Sequence, residues 1–70
     1  MSSAVATPVG QMLYRLEEAA VVLGVGRSTV YEEVRLGRLQ TVRIGRRRLV
    51  PLEYLTEYVE LLKREARAAA

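Results

Sequence analysis

Several residue types that support common protein chemistries are missing from this chain of 70 residues. Without cysteine it forms no disulfide and no thiolate metal site, and without histidine it lacks the commonest metal ligand and general base. Aspartate is also absent, so all eight acidic side chains are glutamates. No nucleophile–base pair or metal-binding constellation is visible, and we expect no catalytic residue, no cofactor and no metal.

Long apolar runs are absent as well. No run approaches the roughly 20 residues that a membrane-spanning helix needs, and the first twelve residues lack the basic segment that opens a signal peptide. Half of the residues are hydrophobic, which suffices for one small core. We therefore expect a soluble, cytoplasmic protein with no membrane partner and no small-molecule substrate.

Positive charge is concentrated in the middle of the chain. Seven of the eleven basic residues lie between Arg27 and Arg48, where the only acids are Glu32 and Glu33, so this window carries +5 (7 − 2) while the chain carries +3. Four of the seven crowd around Gly45, namely Arg43, Arg46, Arg47 and Arg48. The natural partner of such a cluster is a polyanion, and the alternative interpretation is a solvated charged turn.

The predicted fold is mainly α-helical with a small β-hairpin. Residues 1–12 are predicted to form a disordered tail, residues 13–65 one folded domain and residues 66–70 a frayed C-terminal tail. The predicted elements are a short strand at 13–16, helices over 17–23 and 27–36, a hairpin over 39–50 and a helix beginning at Pro51.

The predicted hairpin turns at Gly45 and Arg46, and a glycine in the first place of a two-residue loop favours a type II′ turn. Its register stays open, because Leu49 and Val50 are adjacent and only one of them is expected to point inward.

Two apolar stripes run along the last predicted helix. The first consists of Leu52, Leu55, Val59 and Leu62, and we expect it to pack on the core. The second consists of Tyr54, Tyr58 and Leu61. Both stripes together exceed the need of one small core, so contact of the second stripe with a neighbouring copy or a partner protein is an alternative to core packing.

The most specific pattern is a pair of short helices separated by only three residues, 24–26. Ala20 is small where the helices must approach, Gly24 supplies a positive φ for the turn, and Val25 and Val30 can fill the angle between the helices. This pattern predicts a helix-turn-helix, although a helical hairpin that only packs a core is the plain alternative. The exposed face of the second helix would carry Arg27, Ser28, Tyr31, Glu32 and Arg35, with Thr29 in its first turn.

These motifs resemble the excisionase (Xis)-like, MerR-like winged helix-turn-helix family of bacteria, phages and mobile elements. The matching segments are Glu18-Ala19-Ala20, Leu23-Gly24-Val25, Ser28-Thr29-Val30-Tyr31, Gly37-Arg38-Leu39 and Val42-Arg43-Ile44-Gly45-Arg46-Arg47. The resemblance covers residues 13–62 and implies sequence-specific binding of double-stranded DNA in a bacterial or phage-infected cell. It also implies that the second helix, the recognition helix, enters the major groove. The predicted hairpin over 39–50, called the wing, would contact the backbone or the adjacent minor groove.

The expected DNA-binding residues follow from these patterns. On the recognition helix they are Arg27, Ser28, Thr29, Tyr31, Glu32 and Arg35, and on the wing they are Arg43, Arg46, Arg47 and Arg48. Glu32 would either be repelled by phosphate or accept a hydrogen bond from cytosine N4. Glu33 would pair with Arg15 or Arg38.

An excisionase is the function that the resemblance favours, a recombination directionality factor that binds cooperatively and shapes DNA for integrase-mediated excision. Its expected partners are double-stranded DNA, an integrase and neighbouring copies of itself. The alternative is a small effector-free transcriptional regulator of the MerR-like type. Because MerR regulators usually carry a coiled coil and a sensor segment beyond the wing, the short C-terminal region favours the excisionase. An interaction module that binds a partner through its last helix, and an RNA-binding protein, are less favoured alternatives.

Overall fold

A computed structural model describes residues 10–69. The elements are β1 (Leu13–Arg15), α1 (Leu16–Leu23), α2 (Arg27–Arg35), β2 (Val42–Ile44), β3 (Arg47–Pro51) and α3 (Leu52–Ala69). The fold is mainly helical with one small antiparallel sheet, so the predicted winged helix-turn-helix class is confirmed. Over 10–69, no helix is both long and apolar enough to cross a membrane.

The sheet has three strands in the order β1-β3-β2, with both pairs antiparallel. The sequence predicted a strand near residue 13 and a hairpin, but not that they join. Tyr14 lies opposite Val50, and Arg43 lies opposite Arg48. The wing is therefore attached to the domain through its second strand, which is the central strand of the sheet.

The wing turns at Gly45 and Arg46, as predicted. Ile44 and Arg47 are the last paired residues, so the loop has two residues. Gly45 has a φ of +61° while the φ of Arg46 is not positive, and that combination is typical of a type II′ turn. A glycine is favoured in the first position because other residues are strained at positive φ.

The turn between α1 and α2 also matches the prediction in its main features. Gly24 has a φ of +77°, and its backbone N–H donates to the carbonyl of Ala20 over 2.9 Å. Ala20 and Val30 are buried where the two helices pack. Val25 does not fill the angle as expected, because its backbone caps α1 through Ala20 and its side chain stays 38% exposed.

A small core lies between the helices and the sheet. Its buried members are Ala19, Ala20, Val30, Leu39, Val50, Leu55 and Tyr58. Leu39 belongs to the connection between α2 and β2 and not to the predicted hairpin strand. As expected, only one of Leu49 and Val50 points into the core: Val50 belongs to the core, while Leu49 is buried on the opposite face of the sheet. Leu49 is shielded because the central strand places it between Arg15 and Val42 in register.

The core takes one residue from each stripe of α3, so the prediction that the first stripe packs on the core holds only for Leu55. Tyr58 of the second stripe is buried in the core together with Leu55, whereas Leu52, Val59 and Leu62 of the first stripe are 37–42% exposed. The Tyr58 hydroxyl bonds to a carboxylate on α2, so burial of the ring leaves no polar group unpaired. An apolar surface consequently remains open along α3.

At both ends of the described chain, residues that were predicted to be tails take part in hydrogen bonds or helix. The predicted tail at 1–9 lies outside the described residues, while Gln11 donates to the Leu13 carbonyl and the Met12 carbonyl accepts from the Leu52 N–H. Pro51 ends β3 and does not open the helix, because it is paired opposite Leu13. Helix α3 continues through Ala69, which suits the high helix propensity of its alanines.

Candidate nucleic-acid interface

Helix α2 presents a polar face to solvent. It buries Val30 and half-buries Glu33 and Val34 on its inner side. The six side chains predicted to contact DNA are all exposed, and they are Arg27, Ser28, Thr29, Tyr31, Glu32 and Arg35. The spacing of the inner residues forces this result, because positions three and four apart share one helix face.

Tyr31 is tied to the first helix of the motif. Its hydroxyl donates to Glu17 Oε2 over 2.7 Å, between residues 14 positions apart. This bond lowers the pKa of the Glu17 carboxyl and raises the pKa of the Tyr31 phenol. Sequence reasoning did not identify Glu17 as part of this surface, because no local spacing relates positions on two different helices. The link orients the Tyr31 ring relative to α1.

Glu32 and Arg35 form an ion pair on the same exposed face. Arg35 donates from Nε to Glu32 Oε1 over 3.1 Å and from Nη2 to Glu32 Oε2. This pairing raises the pKa of the Arg35 guanidinium. Because the two charges cancel locally, the exposed face of α2 is less basic than its sequence indicates.

Arg38 belongs to a polar cluster on the inner side of α2 rather than to its exposed polar face. Its guanidinium donates to Glu33 Oε1 over 2.8 Å and to both oxygens of Glu65 over 2.6 and 2.7 Å. The Tyr58 hydroxyl donates to the same Glu33 oxygen over 2.8 Å. Of the two partners expected for Glu33, the structure selects Arg38, and Arg15 pairs with Glu18 instead.

The hydrogen bonds and burial within this cluster shift the pKa values of its side chains. Hydrogen bonds from Arg38 and then Tyr58 lower the pKa of Glu33, and the bonds from Arg38 lower the pKa of Glu65. Burial, followed by the bond to Glu33, raises the pKa of Tyr58 to about 12. The cluster joins α2, the following turn and α3, so it sets how α2 sits on the domain.

The wing carries the other predicted contacts. Arg43 lies on β2, Arg46 in the turn, and Arg47 and Arg48 on β3, and all four are exposed. Strand alternation puts Arg43 and Arg48 on the sheet face that bears Val50, while Arg47 shares the opposite face with Leu49. The tip therefore presents guanidinium groups on both faces.

Unpaired positive charge is unevenly distributed. Of the seven arginines in the 27–48 window, Arg35 and Arg38 are engaged by glutamates. The remaining five form no salt bridge within residues 10–69, and they are Arg27, Arg43, Arg46, Arg47 and Arg48. Four of these five belong to the wing, so the wing is the most strongly cationic and least compensated part of the surface.

Comparison with known proteins agrees with this geometry. A family model described as a helix-turn-helix domain matches residues 13–60, from the first strand into α3. The chain belongs to this helix-turn-helix family. Domains of this kind bind DNA, with the second helix in the major groove. In this chain the second helix of the motif is α2, and the basic wing follows it in the sequence.

The helix-turn-helix chain is also similar to a probable excisionase of Saccharopolyspora erythraea. The two are 39% identical over 59 residues, which are 84% of this chain and 60% of the relative. The chain thus spans about 60% of the length of that relative. The expected excisionase-like resemblance is confirmed by these two comparisons. No solved structure gives a significant match.

Proposed function

We propose that the protein is an excisionase, a recombination directionality factor that binds specific duplex DNA sites cooperatively and shapes them for an integrase. The observation that carries the proposal is the uncompensated charge of the wing. Four exposed arginines stand on a short hairpin without a salt bridge from residues 10–69. They repel one another in the free protein, and a phosphate backbone relieves that repulsion.

The proposed division of labour follows from the charge pairing. The wing supplies most of the electrostatic affinity, because its guanidinium groups are free to neutralise phosphates. Arg46 and Arg47, at the tip, are suited to a narrow A·T-rich minor groove, where negative potential is concentrated. The exposed face of α2 carries fewer free charges and reads base edges in the major groove.

Base reading on α2 would fall to a few side chains. Arg27 is not engaged in a salt bridge within 10–69, so its fork of donors is available for guanine O6 and N7. Glu32 and Arg35 can act together, with Glu32 accepting from cytosine N4 while Arg35 donates to the paired guanine. Ser28 and Thr29 lie in the first helical turn, where hydroxyls and free backbone N–H groups suit a phosphate.

Cooperative binding is part of the proposal because one copy offers only one short recognition helix. A single module of this size makes a small DNA interface, at or below the lower end of the range for specific complexes. Adjacent copies on repeated sites would raise the affinity and bend or stiffen the DNA between them. The similarity to a probable excisionase supports a role in which that DNA shape serves an integrase.

Selection from a random duplex pool tests the DNA-binding part of the proposal. We expect enrichment of short repeated sites, and binding of the winners should weaken steeply with salt. The Arg46→Ala, Arg47→Ala double variant should lose most of the affinity, whereas Arg64→Ala on α3 serves as the control. Failure to enrich any sequence, with equal binding by both variants, would contradict sequence-specific DNA binding.

An excision assay separates the proposed role from transcriptional regulation. The selected sites are searched for in attachment DNA of mobile elements, and recombination by the integrase of that element is measured with and without the protein. Stimulated excision supports the excisionase role. Sites that overlap a promoter, with changed transcription and no effect on recombination, would favour a regulator on the same fold.

A further inference from the structure

Helix α3 carries an apolar row that its own domain covers only in part. The row, called the α3 seam here, consists of Leu52, Leu55, Val59, Leu62, Ala66 and Ala69. Its spacings are 3, 4, 3, 4 and 3 residues, which is the alternation of a two-helix coiled coil over the whole helix. Only Leu55 is buried, and the other five side chains are exposed.

The C-terminal half of α3 extends past the core. Both buried residues of the helix, Leu55 and Tyr58, lie in its first half, and every residue from Leu62 to Ala69 is exposed. At the base of the helix, α3 and α1 enclose a groove of about 330 Å³ lined by apolar side chains that include Val22, Leu52 and Val59. One part of the molecule thus presents an apolar groove, and another part presents an exposed helix with an apolar edge.

We infer that the α3 seam pairs in antiparallel orientation with the α3 seam of a second copy of this chain. In this arrangement the projecting half of each helix lies in the groove at the base of the other. Leu52 would meet Ala69, Val59 would meet Leu62, and Ala66 would lie over the floor of the groove, where Leu55 is already buried. In each facing pair, a larger side chain of one copy lies against a smaller side chain of the other. Such complementary sizes favour close packing between two helices.

The distribution of charge along α3 favours a second copy of this chain as the partner, and it favours the antiparallel orientation. The first half of α3, residues 52–60, contains three glutamates and no basic residue, so it carries −3. The second half, residues 61–69, contains three basic residues and one glutamate, so it carries +2 (3 − 1). Antiparallel pairing places each acidic half beside a basic half, whereas parallel pairing places halves of the same sign side by side.

The row of residues beside the seam shows the same segregation. It runs through Glu53, Thr56, Glu60, Lys63 and Arg67, with acids before bases. In the antiparallel arrangement Glu53 of one copy comes near Arg67 of the other, and Glu60 comes near Lys63. Glu60 lines the groove, and Lys63 of the same helix bonds it over 3.3 Å. Parallel pairing would also stack Ala66 on Ala66 and leave a gap.

The expected dimer is weak in solution. A helix of 18 residues is about 27 Å long, and a contact of that length lies at the low end of specific interfaces, below about 1,200 Å². Two copies on adjacent DNA sites would gain from their high effective concentration. The inference itself concerns the free protein and is tested without DNA, so its failure leaves the proposed DNA binding untouched.

Sedimentation equilibrium of the DNA-free protein tests the inference. We expect a monomer–dimer equilibrium within the micromolar to millimolar range. Leu62→Glu should shift the dissociation constant at least tenfold toward monomer, while Val21→Glu, a matched change at an exposed valine off the seam, should leave it unchanged. A wild-type monomer up to about 1 mM, or equal behaviour of the two variants, would overturn the inference. Circular dichroism confirms that each variant is folded.

Disulfide trapping tests the orientation, and the absence of cysteine makes the background clean. The Leu52→Cys and Ala69→Cys variants are oxidised alone and as a mixture. Residues 52 and 69 are about 25 Å apart along the helix, so only an antiparallel pair brings the two positions together. Cross-linking confined to the mixture supports the inference, and cross-linking of each variant with itself but not with the other would overturn it.

Discussion

Arg43 and Arg48 lie directly opposite each other on the two strands of the wing. Like charges in direct cross-strand register destabilise a hairpin, by up to about 1 kcal/mol. Neither guanidinium has a salt-bridge partner within residues 10–69. This repulsion costs the free protein some stability, and binding of a phosphate backbone, as proposed above, would relieve it.

Replacing one member of this pair should separate stability from binding. We expect Arg48→Thr to raise the free energy of unfolding by up to about 1 kcal/mol, because threonine favours strands and the repulsion is removed. The same variant should bind DNA more weakly and lower the steepness of the salt dependence by about 0.9. Chemical denaturation and DNA titrations at several salt concentrations measure both effects. Arg64→Thr is the control, and a less stable Arg48→Thr protein with unchanged DNA affinity would refute the trade-off.

The salt dependence of the unmodified protein depends on how many arginines are free. If all seven arginines of the basic window contacted phosphates, the logarithm of the DNA-binding constant would fall against the logarithm of salt concentration with a slope of about −6. If only the five arginines without glutamate partners do so, the slope is about −4.5. Glu32→Gln releases Arg35 and should steepen the slope toward about −5.4, with tighter binding to unrelated sequences. Binding isotherms on selected and scrambled duplexes measure this change. A slope that does not respond to Glu32→Gln would contradict this count, because it would show that Arg35 gains no phosphate contact when its glutamate partner is removed.

The Tyr31–Glu17 bond predicts a specific change in proton affinity. In Tyr31→Phe the Glu17 carboxylate loses its main stabilising donor, so its pKa should rise toward the ordinary glutamate value. Carboxyl chemical shifts followed against pH measure this directly. The pKa of Glu33 should stay the same and serves as the internal control. An unchanged Glu17 pKa would show that the hydroxyl is not its partner in solution.

Acid should destabilise the fold through the cluster around Arg38. The pKa values of Glu33 and Glu65 are lowered in the folded protein, so the unfolded chain binds more protons in acid. The stabilisation is present above the ordinary glutamate pKa of about 4.3, and it is lost as the pH falls through the lowered values. Thermal unfolding between pH 6 and 2.5, at about half-unit steps, follows this loss.

Arg38→Met tests the origin of that acid sensitivity. It removes the donor shared by Glu33 and Glu65, so the variant should be less stable at neutral pH and should lose less stability in acid. Arg67→Met is the matched control. Equal acid sensitivity in Arg38→Met and the control would exclude the cluster as its source.

Among the variants considered, truncation of Leu39 should cause the largest loss of stability. It is 1% exposed and lies in a connection without helix or strand, yet it is one of the bulkiest fully buried residues. Truncation of a buried leucine costs about 2–5 kcal/mol, and a domain of this size has about 4–10 kcal/mol in total. We expect Leu39→Ala to be partly or fully unfolded at 37 °C by circular dichroism. The exposed Leu36→Ala is the control, and equal stability of the two variants would contradict the assignment of Leu39 to the core.

Local patterns predicted most of the motif. The helix limits followed from the glycine at 24 and from the spacing of apolar residues, and the wing turn followed from the conformational freedom of Gly45. These signals act over one to four residues, so the sequence displays them directly. The role of Leu39 was not visible in the same way, because its burial comes from the packing of three helices and a sheet around it.

What the sequence determined by itself is the order of the elements, the position of the turn and the concentration of arginines in the wing. Only the tertiary structure decided that β1 pairs with β3, that Tyr58 and not Val59 is buried, and that Arg38 is engaged by Glu33 and Glu65. The physical reason is separation along the chain. Tyr58 meets Glu33 across 25 positions and Arg38 meets Glu65 across 27, and such contacts depend on how whole elements pack, which local spacing does not encode.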